Sequence, residues 1–326
     1  MKQNSNTVDL ESSSPLLSNQ RALNSHLRMP LRKKRLRIFE KFIELGLFFA
    51  AFCSVLVTIG IFWILFSEAI PFFQHVAIWD FFTGTEWAPL FSEPKYGILP
   101  LLCGTFISTF MAMVIALPMG SVIAIYLSEY AHEKIRESVK PILELLSAVP
   151  SVVFGYFALL LVTPLLQKIF PNLPSFSALS AGLVMGIMIV PYVTSLSEDA
   201  LRAVPMHLRE ASFAMGATRF QTAIKVVFPA AFSGITASFV LAISRAIGET
   251  MVVAIAGGMQ PKFTLDPFEP AQTVTAYIVQ VSLGDLPHGS LGYQTIFVAG
   301  STLLLITLFF NILGHRLRKK YKEQDA

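Results

Sequence analysis

Charged residues are scarce in this chain of 326 residues. Asp, Glu, Lys and Arg together make up 14% of it, whereas apolar residues make up 54%. Soluble domains carry about 25% charged residues. Disorder is excluded for most of the chain, because disordered segments are poor in apolar residues and rich in charge. A soluble enzyme of one or two domains also fits this composition poorly.

Cysteine is equally scarce, and the chain has no motif for binding nucleotides. Cys53 and Cys103 both lie in apolar stretches, so a disulfide framework is not indicated. The six histidines are scattered without metal-ligand spacing. The chain lacks G-x-x-x-x-G-K-[ST] and any Gly-Lys pair, which a P-loop needs to hold phosphates. We therefore expect this chain to bind no cofactor or metal, and not to hydrolyse ATP.

Long apolar runs are what the chain does contain. A helix needs about 20 mostly apolar residues to cross a bilayer. Six stretches are of about this length or longer: 42–66, 98–127, 141–165, 178–196, 230–257 and 295–313. The sequence therefore predicts an all-α membrane protein with six transmembrane helices.

Lysine and arginine are distributed unevenly between the predicted loops. Of the 25 such residues, 21 precede the first span, follow the second or fourth span, or lie in the C-terminal tail. Lys95, Lys168 and Lys262 lie on the opposite side, and Arg245 lies inside a span. Because positive residues concentrate on the cytoplasmic side, we expect both termini to be cytoplasmic. A basic run could instead bind nucleic acid, but beside a membrane span topology is the favoured interpretation.

These patterns divide the chain into four segments. Residues 1–40 are expected to form a largely disordered cytoplasmic extension. Residues 41–97 hold the first transmembrane helix and an external aromatic loop, which we expect to lie along the outer membrane surface because aromatic rings favour that zone. Residues 98–315 hold five helices and the cytoplasmic loop 198–229. Residues 316–326 form a basic cytoplasmic tail.

The loop 198–229 carries the pattern of two helices joined by a tight turn. Pro205 suits the first turn of a helix, and Gly216 can end that helix in the left-handed conformation. Thr218-Arg-Phe-Gln221 then has the form of a capping box. The apolar residues of both helices fit either packing against the bundle or docking into a groove on a soluble partner. The pattern alone does not choose between these interpretations.

Arg245 and Glu249 lie within the fifth predicted span. Their spacing of four residues predicts that they share one helix face. An arginine near the bilayer centre costs about 2.5–3.5 kcal/mol, so we expect it to face the bundle interior or a polar pathway. The two could form a structural ion pair. Alternatively, Arg245 offers a planar fork of donors to a tetrahedral oxyanion, and Glu249 holds that fork in position.

The cytoplasmic loop resembles the EAA loop of ABC importer permeases. That pattern reads E-A-A, three residues, G, nine residues, then I-x-L-P. Here Glu210-Ala211-Ser212, Gly216 and the run 226–229 (VVFP) follow the same spacing. Ser212, Val226 and Phe228 depart from it by modest changes in size.

This resemblance implies a type I ABC importer permease fold and a separate ATPase subunit that carries ATP and Mg. The loop 198–229, called the coupling loop below, would dock on that ATPase. The docking role passes to the matching positions Glu210, Ala211, Gly216 and Pro229.

Other segments narrow the resemblance to phosphate ABC transporter permeases. Residues 244–251 (SRAIGETM) resemble the R-A-[IL]-G-E-T stretch of that family, and residues 147–155 (SAVPSVVFG) resemble its third span. Residues 83–89 (TGTEWAP) point to the PstC-type subunit. The resemblance covers residues 40–315.

The resemblance implies a phosphate permease of the plasma (inner) membrane that works by alternating access. Its expected partners are a second related permease, two ATPase subunits, an external phosphate-binding protein and the lipid bilayer, with no nucleic acid. Arg245 and Glu249 would line the substrate pathway. A permease for another oxyanion, such as molybdate or sulfate, is the nearest alternative. An ATP-independent channel or carrier is a further alternative, but it would not need a coupling loop.

Overall fold

The computed structural model describes the backbone of residues 15–322 and the side chains of residues 39–316. Its helices are α1 (Pro15–His75), α2 (Ile78–Thr83), α3 (Leu99–Ile125), α4 (Glu133–Ala148), α5 (Ser151–Phe157), α6 (Thr163–Ile169), α7 (Ala178–Arg202), α8 (Met206–Ala214), α9 (Arg219–Thr222), α10 (Phe228–Ala230), α11 (Phe232–Ile247), α12 (Met251–Ala256), α13 (Val274–Ser282) and α14 (Leu291–Lys322). Three π-helical turns, Tyr126–Tyr130, Ala158–Val162 and Ala223–Val227, continue α3, join α5 to α6 and join α9 to α10. Two short strands, β1 (Trp87–Ala88) and β2 (Lys95–Tyr96), pair antiparallel.

Five of the described helical segments are long and apolar enough to cross a bilayer. They are Phe39–His75, Leu99–Tyr130, Ser151–Ile169, Ala178–Arg202 and Leu291–Arg316. A sixth span results if Arg219–Ala230 and Phe232–Ile247, which meet at an angle of 71°, are taken as one bent crossing. The predicted all-α membrane fold is confirmed, and the predicted count of six is reached when the bent pair is counted.

The chain divides into two compact units, residues 1–63 and residues 64–326. In the first unit, α1 exposes large apolar side chains such as Phe48, Leu56 and Trp63. These apolar side chains suit a lipid surface. The helix also bonds its backbone groups internally, which a bilayer requires because its core holds no water. Helix α1 also runs through residues 15–40, where we predicted disorder. This stretch is rich in the helix formers Leu, Arg and Lys, which explains the helix. Residues 1–14 of that segment, and residues 323–326 of the tail, lie outside the described residues.

The third span begins ten residues later than we predicted. Residues 141–148 belong to α4, a separate amphipathic helix with no buried residue, and the span starts at Ser151. Pro150 causes the break, because proline disfavours helical geometry in the residue before it. Val149 accordingly adopts an extended conformation, with ψ of 129°. The prediction that residues 141–148 lie in the span is therefore wrong.

Close packing of α3 against α7 forms the centre of the second unit. A Cβ atom added at Gly182 would lie 2.5 Å from the Cβ of Met111, and one added at Gly186 would lie 2.8 Å from the carbonyl oxygen of Ala112. Gly120 of α3 meets Val193 of α7 in the same way, at 2.7 Å. Small residues let membrane helices approach until their backbones touch. The two helices therefore form a tightly packed pair.

The aromatic loop folds into a small cap at one end of this unit. Phe72, Phe81 and Trp87 are buried, and the Trp87 ring lies 4.9 Å from that of Tyr277 in an edge-to-face arrangement. Aromatic rings gain energy from such edge contacts beyond the area they bury. These rings therefore belong to a buried cluster that they share with residues of α3, α13 and α14, whereas we expected the whole segment to lie along the membrane surface. Trp79 remains exposed.

The contact between α3 and α7 predicts that Gly186→Val destabilises the chain. The new side chain would collide with the backbone of Ala112, and overpacking of this kind costs about 1–3 kcal/mol. Gly60→Val is the matched control, because a Cβ atom at Gly60 meets no atom within 4 Å. Unfolding in detergent micelles measures both changes. Equal free energies of unfolding for the two variants would contradict the packing described here.

Candidate functional site

The coupling loop has the two-helix structure that its sequence predicts. Helix α8 follows Pro205 and ends where Gly216 adopts a φ of +81°. The backbone N–H of Gly216 donates to the carbonyl of Phe213 at 2.9 Å, and that of Ala217 donates to the carbonyl of Ser212 at 3.2 Å. These bonds satisfy carbonyls that a helix end leaves free. The predicted turn at Gly216 is confirmed.

The second helix of the loop starts with the predicted capping box. The Thr218 hydroxyl accepts from the backbone N–H of Gln221 at 3.3 Å, and the Gln221 side chain accepts from the backbone N–H of Thr218 at 3.0 Å. The hydroxyls of Ser212 and Thr222 lie 2.8 Å apart and join the two helices. The turn is thus held from both sides.

One face of the coupling loop packs on the bundle, and the other is exposed. Leu208 contacts a buried cluster that includes Val227 and Ile235. Met215, 88% exposed, and Phe220 point away from that cluster. Packing against the bundle is thus observed for one face, and docking on a partner stays a prediction for the exposed face.

The four residues assigned to ATPase docking all lie on the exposed part of this loop. They are Glu210, Ala211, Gly216 and Pro229. Their docking role stays a prediction, and their exposure leaves them accessible to a partner.

Arg209 joins the coupling loop to the ends of α3 and α7. Its guanidinium donates to both carboxylate oxygens of Glu129, at 3.0 and 3.4 Å. It also donates to the carbonyl oxygens of Leu201 and Val204, at 2.9 and 2.5 Å. The two charged side chains are only 11% and 9% exposed. The planar fork of arginine suits such a set of acceptors.

A second ionic cluster links α4 to α7. Glu198 has no exposed surface and forms ion pairs with Lys140 and, at 3.6 Å, with Arg202. Asp199, 62% exposed, lies 3.2 Å from the same Lys140 ammonium. Desolvation lowers the pKa of Lys140, but hydrogen bonds to Glu198 and Asp199 and their charges raise it more, so the pKa lies above its ordinary value. A buried carboxylate needs such partners to remain charged.

Arg245 and Glu249 do not share a helix face, and that prediction is wrong. Helix α11 ends at Ile247, and Glu249 lies in the short break before α12. Its carboxylate accepts from the backbone N–H groups of Met251 and Val252, at 3.1 and 3.4 Å. A carboxylate in this position satisfies the free N–H groups of a helix start. Glu249 therefore caps α12, and the ion pairs among the described residues do not include one between it and Arg245.

The Arg245 guanidinium instead lies over the ring of Tyr192. Its Cζ atom is 5.8 Å from the ring centroid, within the range of a cation–π contact. The arginine is exposed, and Tyr192 lines a cavity of about 220 Å³ beside α4 and α7. Ser147, Thr194 and Lys140 line the same cavity. The carboxylates of Glu144 and Glu198 line it too, so the cavity next to Tyr192 carries charges of both signs. The ion pairs among the described residues do not include Arg245.

Sequence reasoning missed the ionic contacts of Glu129, Lys140 and Glu198. Only the spacing of Glu198 and Arg202 could have signalled one of them, since residues four apart on a helix are neighbours. The Arg209–Glu129 contact joins residues 80 positions apart, and no local pattern reports such a separation.

Comparison with known proteins places this structure in a family. Residues 116–323 match the family described as the inner membrane component of binding-protein-dependent transport systems. The chain belongs to this family. It is a transport permease, and its helices agree with those of a multi-pass membrane protein.

Relatives of this permease include phosphate permeases. The chain is 36% identical over 243 residues to the probable ABC transporter permease YqgH of Bacillus subtilis, covering 74% of this chain and 78% of that one. It is 32% identical over 275 residues to the phosphate transport system permease PstC of Pasteurella multocida, covering 78% and 82%. The resemblance to PstC-type permeases is confirmed.

A solved structure shares the permease fold. This is a bacterial alginate ABC transporter in complex with a periplasmic protein carrying an alginate pentasaccharide. The TM-score is 0.52 at 18% identity, and the match covers 82% of this chain and 94% of that one. The predicted type I ABC importer permease fold is confirmed.

The contacts of Lys140 predict unequal effects for its two carboxylate partners. Glu198→Gln removes the charge of a fully buried group and should lower the free energy of unfolding by about 2 kcal/mol, as expected for a buried hydrogen bond to a charge. Asp199→Asn is the matched control and should cost less than about 1 kcal/mol, because water screens an exposed pair. Unfolding in detergent micelles measures both, and a larger loss from Asp199→Asn would contradict this assignment.

Proposed function

We propose that this chain is the membrane permease subunit of an ATP-driven phosphate importer and forms part of the translocation pathway by alternating access. The observation that carries the proposal is the exposed helix-turn-helix of the coupling loop, with the EAA spacing, on a permease fold. The sequence similarity to PstC of Pasteurella multocida supports phosphate as the cargo.

The coupling loop is proposed to dock on an ATPase subunit that binds ATP and Mg. Its exposed face presents Met206, Met215 and Phe220, a flexible and apolar surface of the kind that fills a groove. Because this face is exposed and its opposite face packs on the bundle, a push on the loop is transmitted to the helices behind it. Two ATPase subunits serve the chain and a second, related permease.

Arg245 is proposed to line the pathway for the anion. Its guanidinium is exposed, and no ion pair among the described residues 39–316 includes it. A positive charge in a span is costly unless it faces water or a partner. The helix break at residues 248–250 lies directly beside it. Irregular backbone at membrane depth is tolerated where it is buried in protein or lines a cavity, and broken helices mark ion sites in transporters. Glu249 contributes by holding the break in shape.

The remaining parts of the proposal follow from the family and the charge distribution. The protein lies in the plasma (inner) membrane with both termini in the cytoplasm, since Lys and Arg concentrate on that side. An external phosphate-binding protein delivers the anion to the opposite face. Molybdate or sulfate is the second candidate cargo, because an arginine fork binds any tetrahedral oxyanion.

The turn at Gly216 predicts that Gly216→Val abolishes ATPase docking. A β-branched residue is strained at a φ of +81°, so the two helices would change their relative angle. Gly289→Val is a matched control, because Gly289 has a φ of +82° and equally open surroundings but precedes α14 outside the coupling loop. Copurification of the ATPase should be lost with the first variant and retained with the second. Retention with both would contradict docking through this turn.

The exposure of Arg245 predicts that Arg245→Glu abolishes phosphate uptake while the subunits still copurify. Reversing the charge would repel an anion at this point. Arg245→Lys keeps the charge without the planar fork and should retain part of the uptake. Uptake of labelled phosphate in proteoliposomes, with excess molybdate or sulfate as competitors, measures both effects. Uptake by Arg245→Glu at the normal rate would show that Arg245 is not in the pathway.

A further inference from the structure

We propose that Arg209 is a positioning residue that couples the docking face of the loop to the α3–α7 pair. This inference rests on the proposed function, because it names the contact through which ATPase movement reaches the bundle. Arg209 lies one residue before the Glu210-Ala211-Ser212 pattern and is not part of it.

The Arg209 side chain joins three helical elements. Arg209 belongs to α8, its carboxylate partner Glu129 belongs to the π-helical turn that ends α3, and its carbonyl partner Leu201 belongs to the last turn of α7. The Leu201 carbonyl lies at the C-terminus of α7, where a positive charge is also favoured by the helix dipole. One guanidinium therefore connects α8 to the ends of α3 and α7.

The Arg209–Glu129 contact is also largely buried, at the edge of an open cavity that both residues line. Both side chains are almost entirely buried, and the Glu129 carboxylate also accepts from the Ser128 hydroxyl at 2.9 Å. Screening by salt and water weakens exposed ion pairs but has little effect on buried ones. Removing one partner leaves the other charge buried and unpaired, which is strongly unfavourable. The contact is therefore expected to persist while α8 moves.

The Arg209–Glu129 contact leads directly to the closely packed α3–α7 pair. The ends that Arg209 holds belong to α3 and α7, whose backbones touch at Gly182 and Gly186. Helices packed this closely move as one body, because a packed core does not deform gradually. A displacement of α8 thus passes through Arg209 to both helices at once. The Tyr192 ring, which Arg245 contacts, lies on α7, so the same body reaches the proposed pathway.

The test compares coupling efficiency in the complete transporter: both permeases, the ATPase subunits and the external binding protein, reconstituted in proteoliposomes. The measured quantity is anion imported per ATP hydrolysed. The variants are Glu129→Gln, Arg209→Gln and the double change. Arg136→Gln is the matched control, because Arg136 lies in the cytoplasmic helix α4 and its ion-pair partner Glu133 lies on the same helix.

Each single change should lower the import per ATP by about tenfold, a size typical of coupling between two sites. Subunit assembly and basal ATP hydrolysis should stay at the normal level. The double variant should be no worse than either single variant, since both remove one shared interaction. Import per ATP at the level of Arg136→Gln in both single variants would overturn the inference, as would effects that multiply in the double variant.

Arg209→Lys decides the matter if the glutamine variants do not assemble. Lysine keeps the charge but is a point donor, and it cannot span Glu129 and two carbonyls together. We expect normal assembly with import per ATP reduced severalfold, and a normal ratio would overturn the inference. If the unaltered transporter showed no ATP-dependent import of any oxyanion, the proposed function would fail and the inference with it. If the unaltered transporter imports the anion with ATP hydrolysis and the variants show the same import per ATP, the proposed function stands and only the inference is overturned.

Discussion

The close approach of α3 and α7 is the constraint on which the rest of this permease depends. Glycine at positions 182 and 186 removes the side chains that would hold the helices apart, and the pair then supplies a rigid support. Glu129 and Leu201, the two ends that Arg209 contacts, are positioned by this packing. So is Tyr192, which lies beneath Arg245. The packing of α3 against α7 thus connects the coupling loop to the proposed pathway.

Breaks in helices decide where the functional groups lie. Pro150 ends α4 and begins the third span, so the amphipathic helix that carries Lys140 lies outside that span. The break at residues 248–250 separates Arg245 from Glu249, so that Glu249 caps α12 and Arg245 remains an exposed cation. Each break frees backbone groups that must find partners in a medium without water. Glu249 supplies that partner for α12, which gives this carboxylate a structural role in the span.

Sequence reasoning succeeded where the determinants are local. The turn at Gly216 and the capping box at Thr218 depend on residues a few positions apart, and both were predictable from known preferences. The apolar runs predicted the fold class for the same reason. Predictions failed where a distant contact or a break decided the outcome. Apolar character alone predicted that the third span continues across Pro150, and helical spacing alone predicted that the fifth continues across Gly248; both helices break there. The Arg209–Glu129 pair depends on the packing of whole helices, which no spacing along the chain reveals.

We propose that the coupling loop, exposed on the cytoplasmic side, transfers work from an ATPase to the bundle. Labelling of a single cysteine introduced by Met215→Cys, at a position that is 88% exposed, tests this proposal in a chain whose Cys53 and Cys103 are replaced by alanine. A membrane-impermeant thiol reagent is applied to inverted and to right-side-out vesicles, with and without ATPase subunits. We expect labelling from the cytoplasmic side alone and severalfold protection when the ATPase is bound. Labelling from the outer side, or labelling that the ATPase leaves unchanged, would contradict it.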